Sequence, residues 1–242
     1  MNTPKSPLKV LAVIVIPPHL SASGAVTAGK NLSRSLAAHC QVEVAIMATE
    51  KFSETVDGIF YSRCRSTTPF APLLDRLPNK FRSPLYRSSI PAKILNGDYD
   101  LIHIHNPLPT LEMERVAEAA IQRDIPYVVS THGFVEVTSG GAAYSLGLVG
   151  KIAWRHLITK PLQFVVDNAA LMLPTSPHDC EILKSLGVSA DRMELVTNGV
   201  NPDYYTPVDE KISRKLIAKW DQSAKVAFDA FQKLPQLDEC CF

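Results

Sequence analysis

The sequence predicts an α/β fold, in which an open, Rossmann-like parallel sheet carries helices on both faces. Short runs of apolar residues, as at 8–16 and 169–173, alternate with stretches of helical periodicity. Several of these runs end in proline, glycine or asparagine before the next helix begins. With an apolar fraction of 46% in 242 residues, the chain can bury a sizeable core. Strands that alternate with crossover helices are typical of a doubly covered parallel sheet.

Composition excludes several classes of protein. A net charge of +1 argues against general nucleic-acid binding. The apolar run at residues 10–16 is too short to cross a bilayer and lacks a small-residue cleavage site, so we expect a cytoplasmic protein. The cysteines have neither disulfide-frame nor zinc-site spacing, and we expect no metal and no other cofactor. They are Cys40, Cys64, Cys180, Cys240 and Cys241.

The first apolar run predicts a central strand with a ligand-binding loop after it. Residues 8–16 are largely β-branched, as in a strand that is covered on both faces. Two prolines end the strand, and the next helix carries Leu32 and Leu36 on one face. The helix N-terminus directs backbone N–H groups at this loop, which suits a phosphate. Residues 41–47 predict a second strand, and residues 58–62 fit a third.

Residues 63–93 form a basic segment, which begins at Arg63 and ends at Lys93. It holds seven bases against one acid, Asp75, and its five prolines predict short helical turns. Interleaved basic and apolar side chains favour contact with an anionic membrane surface. A solvated basic loop with a few anchoring apolar residues is the alternative interpretation.

Polar side chains stand at the ends of two later predicted strands. His103 and His105 are two residues apart and share one side of a strand, at whose carboxyl end Asn106 follows. No third ligand lies nearby, so we reject a metal pair. The strand at 126–131 is followed by His132 and Gly133, and ligands sit at such carboxyl ends in open α/β sheets. A structural histidine that bonds a loop carbonyl is the alternative for His132.

The stretch at 169–207 contains a complete βαβ pattern. A strand at 169–173 ends at Pro174, and Thr175 or Ser176 is placed to cap a helix that carries Leu183 and Leu186. Gly187 ends that helix, and residues 193–197 predict another strand. The turn that follows is Asn198-Gly199.

These features resemble the N-terminal, acceptor-side domain of family 4 glycosyltransferases, which have the two-domain GT-B fold. Sequences of this family often contain, in this order, a buried strand, a serine, a helix that ends in glycine, a strand that ends in an Asn-Gly turn, an aromatic residue and a proline. Residues 98–106 and the His132-Gly133 pair are similar to further family features. Asn201 departs from the family, which usually has aspartate there. The matching residues are Ser176, Gly187, Asn198, Gly199, Val200, Tyr205 and Pro207.

The resemblance implies retaining transfer of a sugar from a nucleotide-sugar donor to a sugar or lipid-linked acceptor, at the inner face of a membrane. It implies that His132 is the catalytic residue, close to the donor sugar. Relatives usually have two adjacent glycines after strand one, where this chain has Ser23 and Gly24. An ordinary glycine at the start of a helix is the alternative interpretation of Gly24. The implied substrate-binding residues are Ser23, Gly24, His105, Asn106, Thr131, Gly133, Asn198 and Gly199.

The resemblance also predicts the domain organisation. Residues 1–209 correspond to the acceptor-side domain, and residues 210–242 form a truncated tail without the family's donor-site Arg/Lys pair and paired glutamates. We therefore expect the isolated chain to be inactive. A separate chain would supply the donor domain. We expect the tail either to fold back on the first domain as a helix or to mediate self-association, because its apolar groups need cover. The competing hypothesis is a non-catalytic binding or regulatory domain derived from such an enzyme.

Overall fold

The structure, a computed structural model, describes residues 7–74, 76, 78–106, 108–133 and 147–196. Within these residues eight strands form a mixed sheet of order β3-β4-β2-β1-β6-β7-β8, with β5 paired to β4. The strands are β1 (Lys9–Ile14), β2 (Gln41–Ala48), β3 (Phe52–Val56), β4 (Ile59–Thr67), β5 (Arg87–Ser88), β6 (Leu101–His105), β7 (Tyr127–Ser130) and β8 (Leu171–Leu173).

Helices connect most of the parallel strands, whereas β2 and β4 are joined through β3. One continuous helix passes from Leu148–Trp154 through a π-helical turn, Arg155–Thr159, into Lys160–Asn168. Short 3₁₀ turns lie at Pro18–Leu20, Ser83–Leu85 and Ala190–Arg192. The α-helices are α1 (Gly24–Leu36), α2 (Ala71–Leu74), α3 (Asn79–Arg82), α4 (Ile90–Asn96), α5 (Thr110–Gln122), α6 (Leu148–Trp154), α7 (Lys160–Asn168) and α8 (Pro177–Ser185).

The central strand is β1, as the first apolar run predicts. It pairs in parallel with β2 on one side and with β6 on the other. Its successive side chains enter two separate apolar clusters, since Leu11 and Val13 join one and Ala12 and Ile14 join the other. All four are fully buried. Both faces of the sheet are therefore covered, and the predicted Rossmann-like class is confirmed.

The sheet is not wholly parallel, which corrects the expectation. The predicted third strand, residues 58–62, begins one residue too early, and its residues 59–62 lie in the longer β4, which the exposed strand β3 joins as an antiparallel hairpin. Asp57 and Gly58 form the turn with φ values of 52° and 77°. The sequence pattern missed β3 because an edge strand that faces water on both sides has no apolar alternation.

The βαβ pattern at the end of the described chain is confirmed in part. The Ser176 Oγ caps α8 by accepting the Asp179 N–H at 3.1 Å, and Gly187 ends the helix with φ 88°. Leu183 is buried, whereas Leu186 lies just beyond the helix and is half-buried. Of the predicted strand at 193–197, the structure describes residues 193–196, where Met193 forms a parallel bridge with Met172. Asn198, Gly199 and the proposed tail lie outside the described residues.

The basic segment folds into short pieces, as its prolines predict. Two four-residue helices, a 3₁₀ turn, β5 and the start of α4 succeed one another. Among the described residues, no helix is both long and apolar enough to cross a membrane.

Helix α1 packs on the sheet through a glycine. Its buried residues are Val26, Gly29 and Ser33, while the predicted Leu32 and Leu36 are half-buried beside them. A Cβ added at Gly29 would lie 3.2 Å from Ile14 Cδ1 and 3.3 Å from His105 Cγ. The glycine therefore sets how closely α1 approaches β1 and β6.

We expect Gly29→Val to lower the free energy of unfolding by about 1–3 kcal/mol, because its side chain would overpack the contact with Ile14 and His105. Gly24→Val is the matched control on the same helix, since no atom lies within 4 Å of a Cβ there. We expect it to change stability by less than about 0.5 kcal/mol. Urea denaturation measures both variants. Equal stability of the two would contradict the packing argument.

Candidate functional site

The carboxyl ends of β6 and β7 bring together five of the residues that the sequence singles out. His105 ends β6, and its Nδ1 lies 3.3 Å from His132 Nε2, just beyond β7. Their rings stack with centroids 5.5 Å apart. Asn106, with φ 89°, donates through Nδ2 to the Val15 and Leu108 carbonyl oxygens at 3.2 and 2.9 Å. Thr131 and Gly133 flank His132.

His103 and His105 are buried and neutral. Burial lowers the pKa of His103 to about 4, and His132 acts in the same direction. Burial, followed by His103 and His132, holds the pKa of His105 well below its usual range. His103 Nε2 lies 2.8 Å from Ser130 Oγ on the neighbouring strand. An uncharged imidazole column therefore passes from the sheet interior to His132.

A buried carboxylate braces the same loop. Asp179, in the first turn of α8, is 3% exposed and accepts from Thr131 Oγ1 at 3.2 Å and Thr175 Oγ1 at 3.0 Å. It thus ties the residue before His132 to the end of β8. Asp179 is not among the site residues predicted from the sequence, because its only local signal is the Ser-x-x-Asp spacing of a helix cap.

The loop after β1 supplies a second part of the same edge. Ser23 is the N-cap residue of α1 and Gly24 its first residue, and the first turn holds no acidic side chain. The Ser23 Oγ is buried without a hydrogen-bond partner in the described part of the chain. Gly24 has a negative φ and open space around its Cβ position, so neither packing nor backbone requires glycine there. Gly133, by contrast, has φ 110°, which other residues rarely adopt.

The basic segment borders this loop. His19, in the 3₁₀ turn after β1, lies 3.2 Å from Ser83 Oγ through its Nε2, and its ring lies 5.9 Å from that of Tyr86. The two terminal bases of the segment are engaged elsewhere, Arg63 with Glu54 at 2.7 Å and Lys93 with Glu43 at 2.6 Å.

A second buried carboxylate anchors the far end of the basic segment. Glu112, in α5, is fully buried and accepts the Ser88 N–H at 2.9 Å, and Arg115 pairs with it at 2.6 Å. Burial raises the pKa of Glu112 against these favourable contacts. The glutamate therefore fixes β5 to α5.

The described residues contain no group of three or more His, Cys, Asp or Glu side chains that could hold a metal ion. The site thus offers imidazoles, an amide, hydroxyls and a helix N-terminus. These groups can orient a polar ligand through hydrogen bonds and attract an anion. Of the predicted site residues, Asn198 and Gly199 lie outside the described residues.

Comparison with known proteins identifies the family. Residues 22–204 match the family model described as Glycosyltransferase Family 4. No match is found among curated proteins. A crystal structure of Anabaena Alr3699/HepE in complex with UDP and glucose aligns with a TM-score of 0.50 and 16% identity, over 91% of this chain and 51% of that one. At this identity the likeness shows the fold only.

Two other solved structures give lower scores. Anabaena Alr3699/HepE in complex with UDP aligns with a TM-score of 0.49 and 15% identity, over 91% of this chain and 50% of that one. A UDP-N-acetylglucosamine 2-epimerase aligns with a TM-score of 0.45 and 13% identity, over 80% and 49%. The chain thus spans about half the length of these proteins.

Burial of His103 predicts a loss of stability in mild acid. Below its ordinary pKa of 6.5 the unfolded chain binds a proton at His103, whereas the native state does so only near pH 4. The free energy of unfolding should therefore fall with decreasing pH across this window, by up to about 1.4 kcal/mol per pH unit for this residue.

Denaturation at pH 7, 6 and 5 measures this dependence. His103→Asn should flatten it, because the variant lacks the titrating group, while contributions from other residues are common to both proteins. His178→Asn, at an exposed position on α8, is the control that should leave the slope unchanged. An identical slope in wild type and His103→Asn would contradict the prediction.

Proposed function

Because this chain belongs to glycosyltransferase family 4, we propose that it forms the acceptor-side half of a glycosyltransferase. The reaction moves a sugar from a nucleotide-sugar donor to a sugar or lipid-linked acceptor, with retention at the anomeric carbon. Retention and the assignment to the acceptor side follow from the family resemblance. Anabaena Alr3699/HepE was crystallised with UDP and glucose, so UDP-glucose is the first donor to test.

One observation carries the proposal, namely the position of His132. The residue sits on a turn that Gly133 permits, at the carboxyl edge of a parallel sheet, against the neutral ring of His105. An imidazole nitrogen at this position can exchange a hydrogen bond with a sugar hydroxyl. We assign His132 as the catalytic residue that contacts the donor sugar. His105, Asn106, Thr131 and Gly133 shape its surroundings.

The start of α1 suits the donor diphosphate. An anion at the N-terminus of a helix gains about 0.3–1 kcal/mol from the helix dipole. Gly24 leaves room for close approach of a phosphate to the backbone. The Ser23 hydroxyl, which stands where relatives have glycine, can donate to a phosphate oxygen in place of that closer approach. Asn198 and Gly199 complete the proposed binding set.

We further propose that the basic segment faces an anionic membrane that carries a lipid-linked acceptor. The exposed Phe70 and Phe81 accompany the exposed bases Arg65 and Arg87. Such a mixture suits the interface between headgroups and acyl chains. Because Arg63 and Lys93 are held in ion pairs, the contributing charges are the bases between them.

We expect the 242-residue chain to give no transfer when it is assayed by itself. It covers only 51% of Alr3699/HepE, and catalysis requires donor and acceptor to be held in one orientation. The assay uses labelled UDP- and GDP-sugars with lipid extracts and a heat-killed control. Turnover above that control would contradict the expectation. A donor-domain chain added in trans should restore transfer, whereas a non-catalytic binding or regulatory domain would remain at background.

His132→Ala should weaken the binding of a nucleotide-sugar without unfolding the domain, because a loop side chain contributes little to the core. With one wall of the cleft, we expect millimolar affinity, and a lost hydrogen bond should weaken it about tenfold. Chemical-shift mapping with UDP-glucose measures both effects. His178→Ala, at an exposed site on α8, is the matched control.

The proposed site fails if the shift changes avoid the loops after β1, β6 and β7. It also fails if His132→Ala unfolds the domain, because the histidine is then structural.

A further inference from the structure

Helix α6 exposes its apolar residues. The exposed fractions are 77% for Leu148, 81% for Val149 and 54% for Ile152. At 3.6 residues per turn, these three positions fall within an arc of ~100° on one side of the helix. The same helix continues through the π-helical turn into α7, where Leu162, Val165 and Val166 are buried. Its second half thus packs on the core, while its first half presents an apolar face to the surroundings.

Positive charge lies beside this face. Lys151, Arg155 and Lys160 are all exposed, and within the described residues none of them forms an ion pair. The sequence contains no acidic residue between positions 148 and 166. An apolar stripe with bases beside it and no acid has the composition of an interfacial membrane helix.

The face continues into the basic segment. The turn Ser83–Leu85 packs against the π-helical turn Arg155–Thr159. Phe81, which is 57% exposed, lies just before the turn Ser83–Leu85 in the chain. The exposed apolar residues of α6 and the middle of the basic segment therefore belong to neighbouring parts of the molecule.

We propose that the N-terminal part of α6 lies in the surface of an anionic lipid bilayer, with Leu148, Val149 and Ile152 among the acyl chains and Lys151 and Arg155 at the headgroups. The proposal extends the membrane contact suggested for the basic segment and does not depend on transferase activity.

Charge argues for this occupant over a second copy of the chain. A symmetric contact would bring the lysines and arginines of two copies together, which is repulsive. Three aliphatic side chains also cover only part of the ~800 Å² per partner that a standard protein interface needs. A bilayer requires neither shape complementarity nor a large contiguous patch, and anionic headgroups satisfy the bases.

The test is flotation of the full chain with vesicles of phosphatidylcholine or of phosphatidylcholine with 30% phosphatidylglycerol. We expect binding to the anionic vesicles, with a partition coefficient at least tenfold above that for neutral vesicles. Lys151→Gln/Arg155→Gln should reduce anionic binding by ~5-fold for each charge removed. Leu148→Gln/Val149→Asn/Ile152→Gln should reduce it at least tenfold, because the apolar residues no longer enter the acyl region.

Two variants match these changes at exposed positions elsewhere. Ile121→Gln removes an exposed apolar residue from α5, and Lys51→Gln removes an exposed base. Both should bind as the wild type does, and circular dichroism should show that every variant is folded.

Several results would overturn the proposal. They are equal partition into neutral and anionic vesicles, binding that survives the triple substitution, or loss of binding in the control variants. A wild-type dimer in solution that the triple substitution converts to a monomer would assign the face to a second copy. Binding abolished by Arg65→Gln/Arg87→Gln but untouched in the α6 variants would confine membrane contact to the basic segment. A negative transferase assay leaves each of these outcomes unchanged.

Discussion

Burial of β1 on both faces is the constraint on which the described structure depends. The strand lies between β2 and β6, so its own backbone groups are satisfied only within a sheet that extends to either side. Its alternate side chains enter two apolar clusters, so helices must cover both faces. Parallel neighbours in turn require crossover connections, which place the carboxyl ends of β1, β6 and β7 at one edge.

The close approach at Gly29 links that constraint to the proposed site. The glycine lies on α1, whose N-terminus carries Ser23 and Gly24, and it abuts His105 at the end of β6. A larger residue would push the helix away from the sheet and would displace its N-terminus from the histidines. The distance between the proposed phosphate and sugar positions thus depends on a packing contact that touches neither ligand.

Local sequence patterns predicted individual strands and helices, but they could not predict hydrogen bonds between residues far apart in the sequence. The structure confirms the apolar run of β1 and the cap and glycine of α8. Each of these features depends only on residues close together in the sequence. The Thr131–Asp179 hydrogen bond joins residues 48 positions apart, so no periodicity could indicate it. Glu112 looks like an ordinary first-turn acid, yet it is buried because Ser88 meets it from a strand that the proline-rich sequence concealed.

Helix α6 shows how an irregularity within a helix redirects its side chains. A π-helical turn holds more residues per turn than an α-helix, so the residues beyond it are rotated relative to those before it. Apolar residues on the two sides of Arg155–Thr159 consequently face different directions, one set into the core and the other outward.

The neutral imidazoles below His132 add no positive charge, so an anion is attracted by the N-terminus of α1 and by peripheral bases. Basic residues around α6 and the loop after β1 therefore both attract anions, whether the anion is a phosphate or a lipid headgroup.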